Sequence, residues 1–191
     1  MTKRRRKLAY ILEHFPKISE TFVAAELIEL ERQGEDVTVF AANRPKEPFV
    51  HGFVRELSAR VVYLPRRPAL EPLRVARAVV HVVRRDPHAS LRTARHSVWP
   101  PRRGGLRRLL QATVLRVELE RADVDHAHAH FAALATRLAS LAWRMGGPPY
   151  SVTAHAWDIY DRKFRQDELK DRLAAARFVV TVRESNRQHL E

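Results

Sequence analysis

Cysteine is absent from the 191 residues. This excludes a disulfide framework and a thiolate metal site, and it suits a reducing compartment. No apolar run approaches the roughly 20 residues of a membrane-spanning helix. The basic opening, Met1 to Lys7, is not followed by the apolar core of a signal peptide, because Glu13, His14 and Lys17 interrupt it. The expected location is therefore cytoplasmic, with peripheral attachment at the inner face of the plasma membrane left open. Internal repeats and low-complexity tracts are missing too, so the length reads as one domain, 8–191, behind a basic tail at 1–7. Glycine is scarce, with six residues, and the loop after Leu12 has none. A dinucleotide site needs Gly-x-Gly-x-x-Gly so that backbone can approach a pyrophosphate, so neither NAD nor FAD, nor any other cofactor, is expected.

Acidic residues are missing between Asp86 and Glu118, where Arg92, Arg95, Arg102, Arg103, Arg107, Arg108 and Arg116 fall. The chain as a whole carries a formal charge of +13. Such a balance favours anionic partners. The preference for arginine over lysine fits phosphate chemistry, and it fits GC-rich coding equally. The arginine-rich stretch has three readings. One is a solvated helix face. A second is an anionic membrane patch, with apolar residues and arginines on opposite sides of Leu106 to Ala122. The third is nucleic-acid binding, for which only bulk charge speaks and no recognition motif is present; no nucleic-acid partner is expected.

What is present alternates strand and helix. Leu8–Leu12 reads as a buried strand. A loop from His14 to Thr21 follows, with Ser19 as helix N-cap and Glu20 in the first turn. A helix from Glu20 to Gln33 has Val23, Leu27 and Leu30 as its stripe, and Gly34 ends it. Strands follow at Asp36–Ala42 and Ala59–Leu64, with Arg44 to Pro48 as a loop. Helices begin at Leu73, break at Asp86-Pro87 and at Trp99-Pro100-Pro101, and resume over Leu106–Ala122. Residues 65–121 read as a helical insertion. Asp125–Phe131 is a strand, Ala132–Met145 a helix stopped by Gly146-Gly147-Pro148-Pro149, and Pro149–Ala154 a strand. A helix over Asp167–Ala175, a strand over Phe178–Val182 and a final helix from Glu184 complete the chain. This pattern predicts an α/β fold, a Rossmann-like doubly wound parallel sheet.

Two stretches carry chemistry. In His126-Ala-His128-Ala-His130 the period of two puts three imidazoles on one face of a strand. Alternating histidines can share an ion, but a metal would still want a carboxylate or a third fixed ligand, so no metal is expected. In Thr153-Ala-His155-Ala-Trp157-Asp158-Ile-Tyr160 a strand ends in polar and aromatic groups. Ligands of open α/β sheets sit at the carboxyl ends of strands, which makes this end the best candidate site. The competing reading for Asp158 is a cap on the following segment. Trp157 and Tyr160 read as core or rim residues.

Several of these segments resemble one family. Tyr10-Ile-Leu, Phe15-Pro-Lys-Ile-Ser-Glu-Thr-Phe22, Glu26 and Leu30-Glu-Arg-Gln-Gly34 look like the opening of bacterial exopolysaccharide glycosyltransferases of the colanic-acid type. The likeness returns in His128-Ala-His130-Phe-Ala132, in Thr153 to Tyr160, and in Phe178 to Asn186. These are retaining transferases of group 1, family 4, built from two Rossmann-like domains in the GT-B arrangement. The resemblance spans about Lys7 to Leu190 and implies the acceptor-side, N-terminal domain. It implies that His155 contacts the donor sugar near the transferring carbon, as the catalytic residue on this half. It implies that Asp158 lies beside it and that His130 lines the same cleft. The Ser19-Glu20-Thr21 loop would sit opposite as part of the substrate-binding surface, although the Gly-Gly pair of many relatives is missing there. The partners implied are a nucleotide-sugar donor and a saccharide or lipid-linked acceptor. The glutamate-bearing donor motif of the second domain is absent from these residues, so this chain alone is expected to be inactive. Glu20 has a bland reading as a favourable first-turn charge. The alternative function is a non-catalytic module that holds an anionic membrane or a partner subunit through its arginine-rich helices.

Overall fold

A computed structural model describes residues 5–45, 51–99, 104–160 and 166–190. Lys46, Glu47 and Pro48 of the expected loop, and Pro100, Pro101, Arg102 and Arg103 of the arginine-rich stretch, lie outside these ranges, as do the first four residues of the basic tail.

Six strands form one sheet: β1 (Lys7–His14), β2 (Asp36–Asn43), β3 (Arg60–Tyr63), β4 (His126–His130), β5 (Tyr150–Ala154) and β6 (Val179–Thr181). Their order is β3-β2-β1-β4-β5-β6, and every neighbouring pair is parallel. The chain winds outward from β1 in one direction and from β4 in the other. This is the Rossmann-like doubly wound fold that the β/α alternation predicts, with its switch point between β1 and β4.

Strand composition reports what covers each strand. β1 and β2 read as nearly continuous apolar runs because helices lie on both faces. On one face, α1 (Thr21–Arg32) buries Val23, Ala24 and Leu27 against Tyr10, Leu12, Val37, Val39 and Ala41. Gly34, at φ 84°, reverses the chain after α1, as expected. The opposite face carries the larger core, where Ile11, Ala127, Ala129 and Val152 meet the crossover helices. Fully burying a side chain such as Leu27 or Leu115 contributes about 2 kcal/mol. β4 alternates because its two faces differ: Ala127 and Ala129 are buried under helices, whereas His126 and His128 are only half-buried.

The stretch read as an insertion is the long β3-to-β4 crossover. It comprises α2 (Pro72–Arg85), α3 (Pro87–Val98) and α4 (Gly105–Arg121). Asp86 caps α3 by accepting from the Ala89 amide at 2.7 Å. The two-sided amphipathic reading of Leu106–Ala122 does not hold. Helix α4 packs against α2, α3 and α5 (Leu134–Arg144) at once, so residues around most of its circumference are buried. Leu106, the first apolar residue of that segment, is exposed, while Arg116 is buried and spends its guanidinium on the Met145 carbonyl and on Glu120 at 2.8 Å. No helix among the described residues is long and apolar enough to cross a membrane.

Candidate functional site

The carboxyl ends of β1, β4 and β5 meet beside the switch point. β4 ends at His130, and the chain turns at Phe131 with φ 72°. That left-handed conformation costs a non-glycine residue roughly 1–3 kcal/mol and persists only where surroundings hold it. Here the Phe131 amide donates to the Thr153 carbonyl at 2.9 Å, and the Thr136 hydroxyl donates to the Phe131 carbonyl at 2.8 Å. Helix α5 therefore starts at Leu134, two residues later than its alanine-rich pattern suggests.

Asp158, in the short helix α6 (Ala156–Tyr160), ties this turn to the end of β5. One of its carboxylate oxygens, Oδ2, accepts from the Ala132 amide at 2.9 Å and from the His155 amide at 3.3 Å. An acidic residue three positions after His155 that reaches back to its amide is half of a capping box. Asp158 is only 1% exposed. Burial pushes its carboxyl up to about 6, against the two amides that pull it down. The residue expected to touch substrate thus lies beneath the cleft, where its carboxylate positions His155. The other oxygen, Oδ1, is buried without a hydrogen-bond partner among the described residues.

His155 and His130 do come together. The His155 ring lies 4.6 Å from Phe131, 5.3 Å from Phe22 and 5.8 Å from His130, between ring centroids. Burial lowers the His155 pKa, His130 adds to the effect and Glu26 opposes it, so the ring is neutral at pH 7. His130 is 2% exposed, and its Nε2 sits 2.9 Å from Glu26 Oε2. Tyr10, on β1, donates its hydroxyl to the other oxygen of Glu26. Burial pushes the Glu26 carboxyl up, but the hydrogen bonds from His130 and Tyr10 outweigh it and hold the group below its usual range. The three strand histidines share one face as expected. His126 Nε2 and His128 Nδ1 both lie 2.8 Å from the Ser151 hydroxyl, and His128 Nε2 is 3.0 Å from Thr153 Oγ1. Burial, aided by His130, holds His128 down to about 4.

These groups open onto a cavity of about 660 Å³ lined by Tyr10, Phe22, Glu26, His128, His130 and His155 on one side, with Phe178, Val180 and Val182 on the other. No family model and no curated protein matches the chain. Ser19, Glu20 and Thr21 do not line this cavity. Ser19 is not an N-cap: residues Ile18–Glu20 form a 3-10 turn, and α1 begins at Thr21 behind Glu20 with no side-chain cap. The Glu20 carboxylate pairs with Lys17, although its charge is felt at Asp158 across the gap. Trp157 and Tyr160 are exposed and do not line this cavity.

Glu26 and Phe22 line the cavity without having carried an expected role. Glu26 lies three positions after Val23 and four before Leu30, so it shares the face of α1 that points at the sheet. A carboxylate on an apolar stripe was the available signal. Phe22, 43% exposed at the mouth, stood in the resembling segment Phe15 to Phe22 without an assigned role. Glu26 also removes the ground on which a metal was set aside, since the missing carboxylate is supplied from a different element.

Proposed function

We propose that this chain is the acceptor-side half of a retaining glycosyltransferase, moving a sugar from a nucleotide-sugar to a lipid-linked saccharide during exopolysaccharide or cell-envelope glycan synthesis. The observation that carries the reading is the meeting of His130 and His155 at neighbouring strand ends, beside the switch point of the sheet and under the rings of Phe22 and Phe131. Open α/β sheets hold ligands at that edge. Aromatic faces beside imidazoles suit a sugar, which offers C–H faces and hydroxyl groups. In this reading the donor half binds most of the nucleotide. His155 faces the sugar as positive charge develops at the transferring carbon, and the departing diphosphate is stabilised by fixed dipoles. The chain works on the cytoplasmic side, and no metal is required for the transfer itself. The test on the isolated chain is a histidine-resolved NMR titration with saccharides and nucleotide-sugars. Shifts confined to His130 and His155 are expected; shifts elsewhere, or none with any sugar tried, would remove the reading.

One observation favours membrane contact as a second role. Leu73, Val80 and Val83 are exposed on α2 beside the exposed Arg77 and Arg84, so the basic amphipathic face belongs to α2 and not α4. Flotation with vesicles should depend on anionic lipid and weaken with salt. Arg77→Glu together with Arg84→Glu should abolish it, and unchanged flotation in that double variant would exclude this face.

A further inference from the structure

We infer that Glu26, His128 and His130 form a binding site for one divalent transition-metal cation, independently of the glycosyltransferase reading. One ligand atom from each side chain lies within 4.8 Å of the others. Tetrahedral bonds of about 2.1 Å place ligand atoms some 3.4 Å apart, so side-chain rotation alone closes the set. The backbone supplies the rest. His128 and His130 are two apart on β4, which fixes their common direction, and α1 lays Glu26 across them from the neighbouring strand unit.

The surroundings suit a metal. Bound histidines are usually held through their second nitrogen, and bound carboxylates are themselves hydrogen-bonded. Ser151 holds His128 at Nδ1, and Tyr10 holds Glu26. If Nδ1 donates to Ser151, Nε2 keeps its lone pair, which now accepts from the Thr153 hydroxyl and would be released by rotation of that side chain. Three protein ligands beside an open cavity of about 660 Å³ leave positions for water or an oxygen of a bound molecule. Two imidazoles and one carboxylate select zinc, cobalt, nickel or ferrous iron over magnesium and calcium, which prefer all-oxygen sets.

The experiment uses the whole chain, freed of metal by a chelator. Zinc at a hundredfold excess over its Kd should raise Tm by about 5–10 °C, and magnesium should not. One equivalent of cobalt should produce the visible band of four-coordinate cobalt. Glu26→Gln, on a half-exposed helix position, and His128→Asn should each lose the cobalt band and the zinc shift while keeping their metal-free Tm within a few degrees. The chain has ten histidines, so adventitious binding must be separated from this site. A shift or band that survives in both variants would assign binding to other histidines and overturn the inference, as would the absence of both signals in the parent chain. Should one variant fail to fold, the other and the cobalt titration of the parent decide.

Discussion

His155→Ala, in this chain joined to a donor-binding domain, should lower kcat by about 10²–10³ while leaving nucleotide-sugar affinity within a few-fold. That loss is typical when one preorganised group at the reacting centre is removed. The asymmetry between kcat and binding is what the proposed reading requires, since it assigns most of the nucleotide's binding to a donor half. His155 is half-buried and its ring contacts Phe22, Phe131 and His130, so alanine leaves a gap among aromatic neighbours. A variant that failed only through misfolding would lose both parameters and its thermal transition. One with kcat intact would show that this imidazole does not act in transfer.

The second large effect is on stability, at Asp158. Both amides it holds use the same oxygen, so Asp158→Ala leaves the Ala132 and His155 amides without an acceptor. A buried unsatisfied donor costs about 1–3 kcal/mol, and the pair should cost about 3 kcal/mol in urea unfolding. Asp158→Asn keeps the accepting oxygen and removes only the buried charge. The folded carboxyl, pushed up to about 6 from 3.8, binds its proton more tightly than in the unfolded chain. Its contribution is therefore fully present below pH 3.8 and lost as pH rises through about 6. His128 has the opposite sign: its folded pKa, about 4 against 6.5, gives a contribution present above 6.5 and lost as pH falls toward 4. The two trends oppose each other in one window, so the parent's pH profile alone is uninformative there. The difference between Asp158→Asn and the parent isolates the carboxyl, and it should grow in favour of asparagine from pH 4 to 6 and then level off. A constant difference would mean that the carboxyl is not perturbed.

The sheet and its winding were readable because parallel strands buried on both faces are nearly continuous apolar runs, as in Val39 to Ala42, and because Gly34 and Gly146 mark helix ends through their positive φ. The nearness of His130 to His155 follows from the β-α-β connection that makes β4 and β5 parallel neighbours. Three things were not readable. The partners of α4 lie in other segments, so periodicity could not show that Arg116 is buried. The partnership of Glu26 with His130 spans 104 positions and depends on how α1 lies across β1 and β4. The turn at Phe131, where a bulky residue takes φ 72°, has no local signature, since tertiary hydrogen bonds impose it. Asp158 was legible as a neighbour of His155, but its depth was not: at 1% exposure it holds the His155 amide and does not line the cavity.

The most direct measurement is sugar transfer itself. The chain, joined to a donor-binding domain, is incubated with radiolabelled UDP- and GDP-sugars and a polyprenyl-diphosphate-linked saccharide, and the product's anomeric configuration is read by NMR. The account predicts a lengthened lipid-linked saccharide with the donor's configuration retained, lost with His155→Ala. An inverted product, or retained product formed equally well by the His155→Ala enzyme, would contradict it.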